Sequence, residues 1–212
     1  MTYRPVLISA TFLFIFAVAG SGLVAFTHDS TAQRIADNQR RALLKSINEL
    51  VPGDWYDNDI YSDIMYVHNP KLLGTDQAVP VYRARKGGWP VAAVLVPVAP
   101  DGYNGDIVLL VAIKLDGTLA GVRVLSHRET PGLGDSIEAD RSDWIRGFRG
   151  KSLNNPKLEN WKVKRDGGEF DQFTGATITP RAVVKAVKNA LLYYKQFGDS
   201  LFKQHPHKAD ES

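Results

Sequence analysis

The stretch Ile107–Ser126, IVLLVAIKLDGTLAGVRVLS, decides the fold class. Two apolar runs flank Asp116-Gly117, a dipeptide that strongly signals a tight hairpin. The first run, IVLLVAI, is apolar without alternation, which predicts a strand covered on both faces. Further strands are predicted upstream at Val79–Ala84 and at Val91–Val98, where AAVLV repeats the same pattern. Downstream, Val183, Val184, Val187, Ala190, Leu191 and Tyr194 fall on one stripe of a helix over Ala182–Phe197. Thr179 is the expected N-cap of that helix and Pro180 its first residue. Strands joined by a short hairpin, with a packed helix after them, make an α+β domain built on a twisted antiparallel sheet.

Toward the N-terminus, Val6–Phe26 reads VLISATFLFIFAVAGSGLVAF and carries no charged side chain. As a helix this run spans about 31 Å, close to the hydrocarbon thickness of a bilayer. Residues 1–27 are therefore expected to be a single transmembrane anchor. A cleavable signal ending at Ala17-Val18-Ala19 is the competing reading, but the apolar run continues past Ala19 to Phe26. Leu43, Ile47 and Leu50 predict a juxtamembrane helix over 28–52, closed by Pro52-Gly53. Lead-in strands then occupy 53–101, the domain that carries the chemistry 102–198, and a disordered tail 199–212. Only Arg4 precedes the span, whereas Arg34, Arg40, Arg41 and Lys45 follow it, so a positive-inside count places the body in the cytoplasm.

The chain of 212 residues has no cysteine, which excludes a disulfide framework, thiolate-ligated zinc, an iron–sulfur cluster and a lipid-modified N-terminal cysteine. A net charge of +3 is small for a nucleic-acid binder, and no nucleic-acid partner is expected. Basic residues nevertheless crowd the segment from Arg141 to Asp166, either as a solvated face or as a surface for an acidic partner or anionic cofactor. Asp57, Asp59 and Asp63 suggest a calcium loop, but an EF-hand starting at Asp57 needs Gly and Glu where Ser62 and His68 stand. His205 and His207 lie in the tail, and no metal site is expected.

Two segments remain that can carry chemistry. His127-Arg128-Glu129-Thr130-Pro131-Gly132-Leu133-Gly134-Asp135 follows the hairpin's second strand, and its glycines permit close approach of the backbone to a flat ligand. It matches neither a Walker loop nor a dinucleotide fingerprint. Asp171-Gln172-Phe173-Thr174-Gly175-Ala176-Thr177-Ile178-Thr179-Pro180 sits at the mouth of the last helix, where free N–H groups favour an anion such as phosphate. Composition alone is equally served by a turn and a capping motif.

Asp171-x-x-Thr174-Gly175-Ala176-Thr177 resembles the flavin-attachment sequence of FMN-binding domains, with Thr174 where Ser is commoner. Glu129-Thr130-Pro131-Gly132-Leu133-Gly134 is similar to the same family's second signature, and Gly102-Tyr103-Asn104-Gly105-Asp106-Ile107 to a third, weaker one. Order, spacing and the N-terminal anchor resemble the G subunits of Rnf/Rsx electron-transport complexes. The resemblance implies covalent FMN, held by a phosphoester to Thr177 that a flavin transferase installs. It implies that Asp171, Thr174, Gly175 and Ala176 serve recognition and phosphate binding, and that Glu129, Thr130, Gly132, Leu133 and Gly134 line the ring. Lys162 and Lys164 are further candidates to neutralise the phosphate, and His127 is expected to be structural.

By the same resemblance the protein is a redox subunit of an ion-translocating oxidoreductase that does not turn over alone. It sits in the bacterial inner membrane with other membrane subunits, its flavin domain on the periplasmic side, against the charge count. Electron transfer is coupled to Na⁺ or H⁺ translocation, or keeps a redox-sensing regulator reduced. Competing readings are the C subunit of the Na⁺-translocating NADH:quinone reductase, usually longer than this chain, and a flavin-free tethered adaptor.

Overall fold

The computed structural model describes residues 3–203; His205, His207 and the rest of 204–212 lie outside the described residues. Its contacts divide the chain into two units at Leu43/Leu44. The first unit is helical from Arg4 onward. It belongs to helix α1, which runs from Arg4 to Leu50 without the expected boundary near residue 27. Among the described residues this is the one helix long and apolar enough to cross a membrane. Its side chains from Leu7 to Phe26, Leu13, Phe16 and Phe26 among them, are exposed, as a lipid-facing surface requires.

The second unit is the α+β domain. Its strands are β1 (Ile64–Val67), β2 (Val79–Lys86), β3 (Trp89–Leu95), β4 (Val98–Gly102), β5 (Gly105–Lys114) and β6 (Leu119–Ser126). All pairings are antiparallel. The predicted strand Val91–Val98 is two strands with one register: Leu95 faces Val111 and Val98 faces Val108 on the same partner, β5. The break falls at Val96-Pro97, where proline has no N–H to give the ladder. Pro97 still accepts through its carbonyl from Leu109 N–H at 2.9 Å. A short helix α2 (Pro70–Leu73), capped by the Asn69 side chain, links β1 to β2. The hairpin after Lys114 closes with Gly117 N–H donating to Lys114 C=O and Gly117 at φ +79°, the three-residue loop with a left-handed closing glycine.

Helix α3 runs from Ile178 to Leu201, four residues further at each end than the periodic stripe predicts. Leu201 is fully buried, so the expected tail starts later than residue 199. Val183, Val187, Ala190 and Leu191 pack with Ala93, Leu95, Leu109, Val111 and Ile113 on one face of the sheet. The other face is covered as well. A Cβ on Gly121 would lie 2.8 Å from Leu50 Cδ2, and Gly121 pairs with Ala112, so Leu50 sits over the face that carries Leu110, Ala112 and Val94. Every residue from Leu109 to Ile113 is therefore fully buried, as the unbroken apolar run predicts. Burying each such leucine or isoleucine contributes roughly 1.5–3 kcal/mol.

The acidic segment before β1 serves the C-terminus of α3. Asp63 pairs with the fully buried Arg83 and, at 2.8 Å, with Arg85 Nε. Arg83 Nη1 donates to Leu201 C=O at 3.2 Å and Arg85 Nη2 to Phe202 C=O at 3.4 Å. Two cations thus meet the negative end of a 24-residue helix, where its last carbonyls lack partners of their own.

Arg83→Met, which keeps the stem and removes the charge, is expected to cost about 3 kcal/mol in urea unfolding, because Asp63 keeps Arg85 on Oδ2 but loses the cation on Oδ1, and the Leu201 carbonyl loses its donor. Alkaline stability follows from two tyrosines. Burial pushes the Tyr82 and Tyr194 phenols up to about 12. Unfolded phenols lose their protons near about pH 10. Between those values the unfolded chain binds fewer protons than the folded one, so stability falls as pH rises. The melting temperature should drop over that window, and less steeply in Tyr194→Phe.

Candidate functional site

A cleft of about 330 Å³ opens at the N-terminal end of α3, within the size range of small-molecule sites. Three loops form it: the β4–β5 hairpin tip, the loop after β6, and the approach to α3. Its walls are Tyr103, Glu129, Thr130, Leu133, Gly134, Gly175, Ala176, Thr177, Ile178 and Thr179.

Each loop shape follows from its residues. Thr130-Pro131-Gly132-Leu133 is a turn in which Leu133 N–H donates to Thr130 C=O at 3.1 Å, with Gly132 at φ +79°. Pro at the second position and a left-handed Gly at the third are the requirements of a type II turn. Phe173-Thr174-Gly175-Ala176 repeats the arrangement, with Ala176 N–H on Phe173 C=O at 3.2 Å and Gly175 at φ +83°. The two turns touch, since a Cβ on Gly175 would lie 3.3 Å from Leu133 Cδ2. Behind the second turn Trp144 donates its indole N–H to Asp171 C=O at 2.8 Å and packs edge-on against Phe173. Trp144 in turn joins a stack of Phe148, Phe170 and Trp161 that fills the irregular segment before α3.

Glu129 fastens the three loops together. Its carboxylate is buried; Oε1 accepts from Asn104 N–H at 3.0 Å, and Oε2 accepts the Thr179 hydroxyl proton. Gly134 lies so close that a Cβ there would come within 2.9 Å of both Glu129 Oε2 and Thr179 Oγ1. Asn104 Nδ2 also donates to Thr130 Oγ1, at 3.3 Å.

This corrects the capping assignment. Thr179 lies inside α3 and is fully buried; its hydroxyl goes to a carboxylate across the domain, a stronger acceptor than the local backbone. Pro180 is the third helical residue, still within the turn whose N–H groups need no helical partner. The N-cap is Thr177. Its backbone, at φ −77° and ψ −26°, is already helical, and its hydroxyl makes no capping bond.

Of the residues expected at the cofactor, Glu129, Thr130, Leu133, Gly134, Gly175, Ala176 and Thr177 line the cleft, whereas Gly132, Asp171 and Thr174 do not. Gly132 supplies the turn. Thr174 stands exposed at the corner of the second turn. The Asp171 carboxylate is drawn 2.7 Å from Lys164 Nζ, and the same contact raises the pKa of Lys164. Neither Lys164 nor Lys162 reaches the cleft. Half of the basic run is paired, with Arg141 near Asp135 and Glu138, Arg146 on Asp143, Lys151 near Glu169 and Lys164 on Asp171.

Residues 102–192 match the FMN-binding domain family, and residues 1–50 match the RnfG N-terminal region. The curated G subunit of the ion-translocating oxidoreductase complex of Vibrio atlanticus is 50 % identical over 91 % of each chain. The protein of the same name from Shewanella oneidensis is 44 % identical over 95 % of each chain. That from Pseudomonas aeruginosa is 50 % identical over 91 % of this chain and 90 % of its own. The chain belongs to the family of G subunits of ion-translocating oxidoreductase complexes. Within this G-subunit chain, the match to the FMN-binding domain takes in the hairpin tip, both turns and most of α3, all the elements that wall the cleft.

Ile178 and the bracing role of Thr179 escape a sequence reading, because the partner of Thr179 lies far away in the chain. Thr179→Val should leave Glu129 Oε2 without its donor and cost about 2 kcal/mol in urea unfolding, whereas Thr179→Ser should restore most of it.

Proposed function

We propose that this chain is the membrane-held electron carrier of an ion-translocating oxidoreductase complex, with FMN joined through its phosphate to the Thr177 hydroxyl. The observation that carries the reading is the Thr177 side chain. It stands at the N-cap of a 24-residue helix, on the wall of the cleft, with its hydroxyl uncommitted to capping. An N-cap threonine ordinarily spends that oxygen on the helix. Here the oxygen is left for another bond, at the positive end of the helix, where the remaining phosphate charge is favoured.

The cleft suits the rest of the cofactor. Leu133, Ala176, Ile178 and the Tyr103 ring offer apolar surface to a flat heterocycle, while Thr130 and the turn backbone offer polar contacts to its edge. Gly175 leaves the wall beside Leu133 free of a side chain, so that a ring can approach the backbone there. Bound FMN supplies redox chemistry that no side chain of this chain provides. The protein's part is to fix its position, shield one side and set the hydrogen bonds at its edge.

The protein works with other membrane subunits and is matured by a flavin transferase. Its soluble domain lies on the periplasmic side of the inner membrane. The charge count argues the other way, but it rests on four basic residues spread along α1, and a folded domain crosses largely regardless of such charges. The complex couples electron flow to Na⁺ or H⁺ movement, and this chain does not turn over alone. Family membership supports this reading over the C subunit of the NADH:quinone reductase.

Co-expressed with a flavin transferase, the wild-type chain should gain about 438 Da, the mass of FMN less water. It should also fluoresce after denaturing electrophoresis. Thr177→Ala should lose both signals without unfolding, and Thr177→Ser should regain them. An unmodified wild-type chain would favour the flavin-free adaptor, and a modified Thr177→Ala would move the attachment elsewhere.

A further inference from the structure

His127 lies just outside the cleft and is partly buried. Its Nδ1 accepts from the Glu129 backbone N–H at 3.0 Å, and its Nε2 lies 2.6 Å from Glu138 Oε1. The two contacts settle the tautomer. Nδ1 faces a donor and must present its lone pair, so the proton sits on Nε2 and is donated to Glu138. The imidazole thus holds the peptide N–H of the residue whose carboxylate joins the hairpin tip to α3.

We propose that His127 is a proton-sensitive positioning residue for the cleft: neutral, it fixes the Glu129 backbone and hence the brace to Asn104 and Thr179, and a second proton, on Nδ1, releases that hold. On protonation an N–H would face an N–H, and the two donors must separate. Other charged groups lie around the ring, but none of them replaces the lost acceptor. Glu138 faces Nε2 from the loop after the 3₁₀ turn Gly134–Ile137, and it is shared with Arg141, 3.8 Å away, which also approaches Asp135. Asp106 on β5 and Arg128 beside the ring share an open hollow with His127.

The coupling to the flavin rests on the proposed cofactor site; the coupling to Glu129 does not. Two substitutions separate positioning from simple packing. Asparagine at 127 can accept from the N–H two residues on, as in an Asx turn, and cannot titrate. Alanine can do neither.

The test uses the full flavin-loaded chain in detergent and follows the visible circular dichroism of the flavin between about pH 5 and 9, where imidazole titrates and ordinary carboxylates do not. Wild type should show one reversible step. His127→Asn should lose the step and keep the alkaline spectrum, and His127→Ala should lose it and keep the acid one. In parallel, imidazole nitrogen shifts of the flavin-free Thr177→Ala chain should show His127 as the Nε2–H tautomer at alkaline pH. A proton on Nδ1 in that spectrum overturns the proposal, as does a wild-type step that survives in His127→Asn. A flat wild-type profile overturns the link to the flavin. Failure of the ester reading shows separately, in the intact mass.

Discussion

A single buried carboxylate, that of Glu129, sets the geometry on which the cleft depends. Burying a charge is costly unless each oxygen finds a donor. Here the Asn104 backbone and the Thr179 hydroxyl supply one each, from different elements. The requirement works in reverse as well: because the carboxylate must be satisfied, the hairpin tip and the first turn of α3 are drawn to fixed positions around it. Glutamine satisfies both sides in one orientation only, its oxygen toward the Asn104 N–H and its nitrogen donating to a Thr179 hydroxyl that then accepts. Aspartate is one carbon too short to span both. The near-contact of Gly134 with Glu129 Oε2 and Thr179 Oγ1 then leaves no space for a side chain at 134. Gly134 is in this sense a consequence of the brace as much as of any ligand.

The two type II turns have a different source of rigidity. Pro131-Gly132 and Thr174-Gly175 fix local backbone shape by φ preference alone. What places the second turn is the aromatic stack. Trp144 reaches from the 3₁₀ turn Trp144–Phe148 to Asp171 C=O and the Phe173 ring, so the loop leading into α3 rests on a wall of rings that is itself part of the core. Contact between Leu133 and Gly175 then closes one turn on the other. A site held from three sides in this way needs little reordering when a rigid ligand enters, and that lowers the entropic cost of binding.

Much of this was legible in the sequence, and the reasons for what was not are specific. The hairpin, the strands with unbroken apolar runs and the last helix are written in local pattern, and pattern reports burial. Strand β1 is too short to register a period, and β4 is both short and mixed in polarity. Pro97 hides the continuity of β3 with β4, because a proline reads as an end even where the register runs through it. Asp57, Asp59 and Asp63 suggest a metal when read alone. Their actual partners include Arg83, Arg85 and the Gly87 backbone N–H, distant in sequence and invisible to any spacing rule. Thr179 illustrates the same limit at the site. Local preference makes it a cap, and a carboxylate fifty residues away makes it a brace instead.

The openness of the cleft fits an electron carrier better than a chamber for chemistry. Tyr103, Leu133 and Ile178 are 66 %, 43 % and 46 % exposed, so a ring lying among them stays near the surface, where a partner's cofactor can approach. That exposure has a thermodynamic consequence. A ligand buried on few sides gains little apolar contact area, and a shallow site by itself holds a cofactor weakly. Deepening the cleft would strengthen binding and lengthen the distance an electron must cross. A bond to the phosphate end removes the conflict, because retention then no longer depends on how much of the ring is covered. Under the proposed ester, the fixed end belongs at the helix terminus, where backbone dipoles neutralise its charge, and the reactive end belongs at the rim. Thr177 stands at the helix terminus and the exposed Leu133 on the same cleft wall, against Gly175.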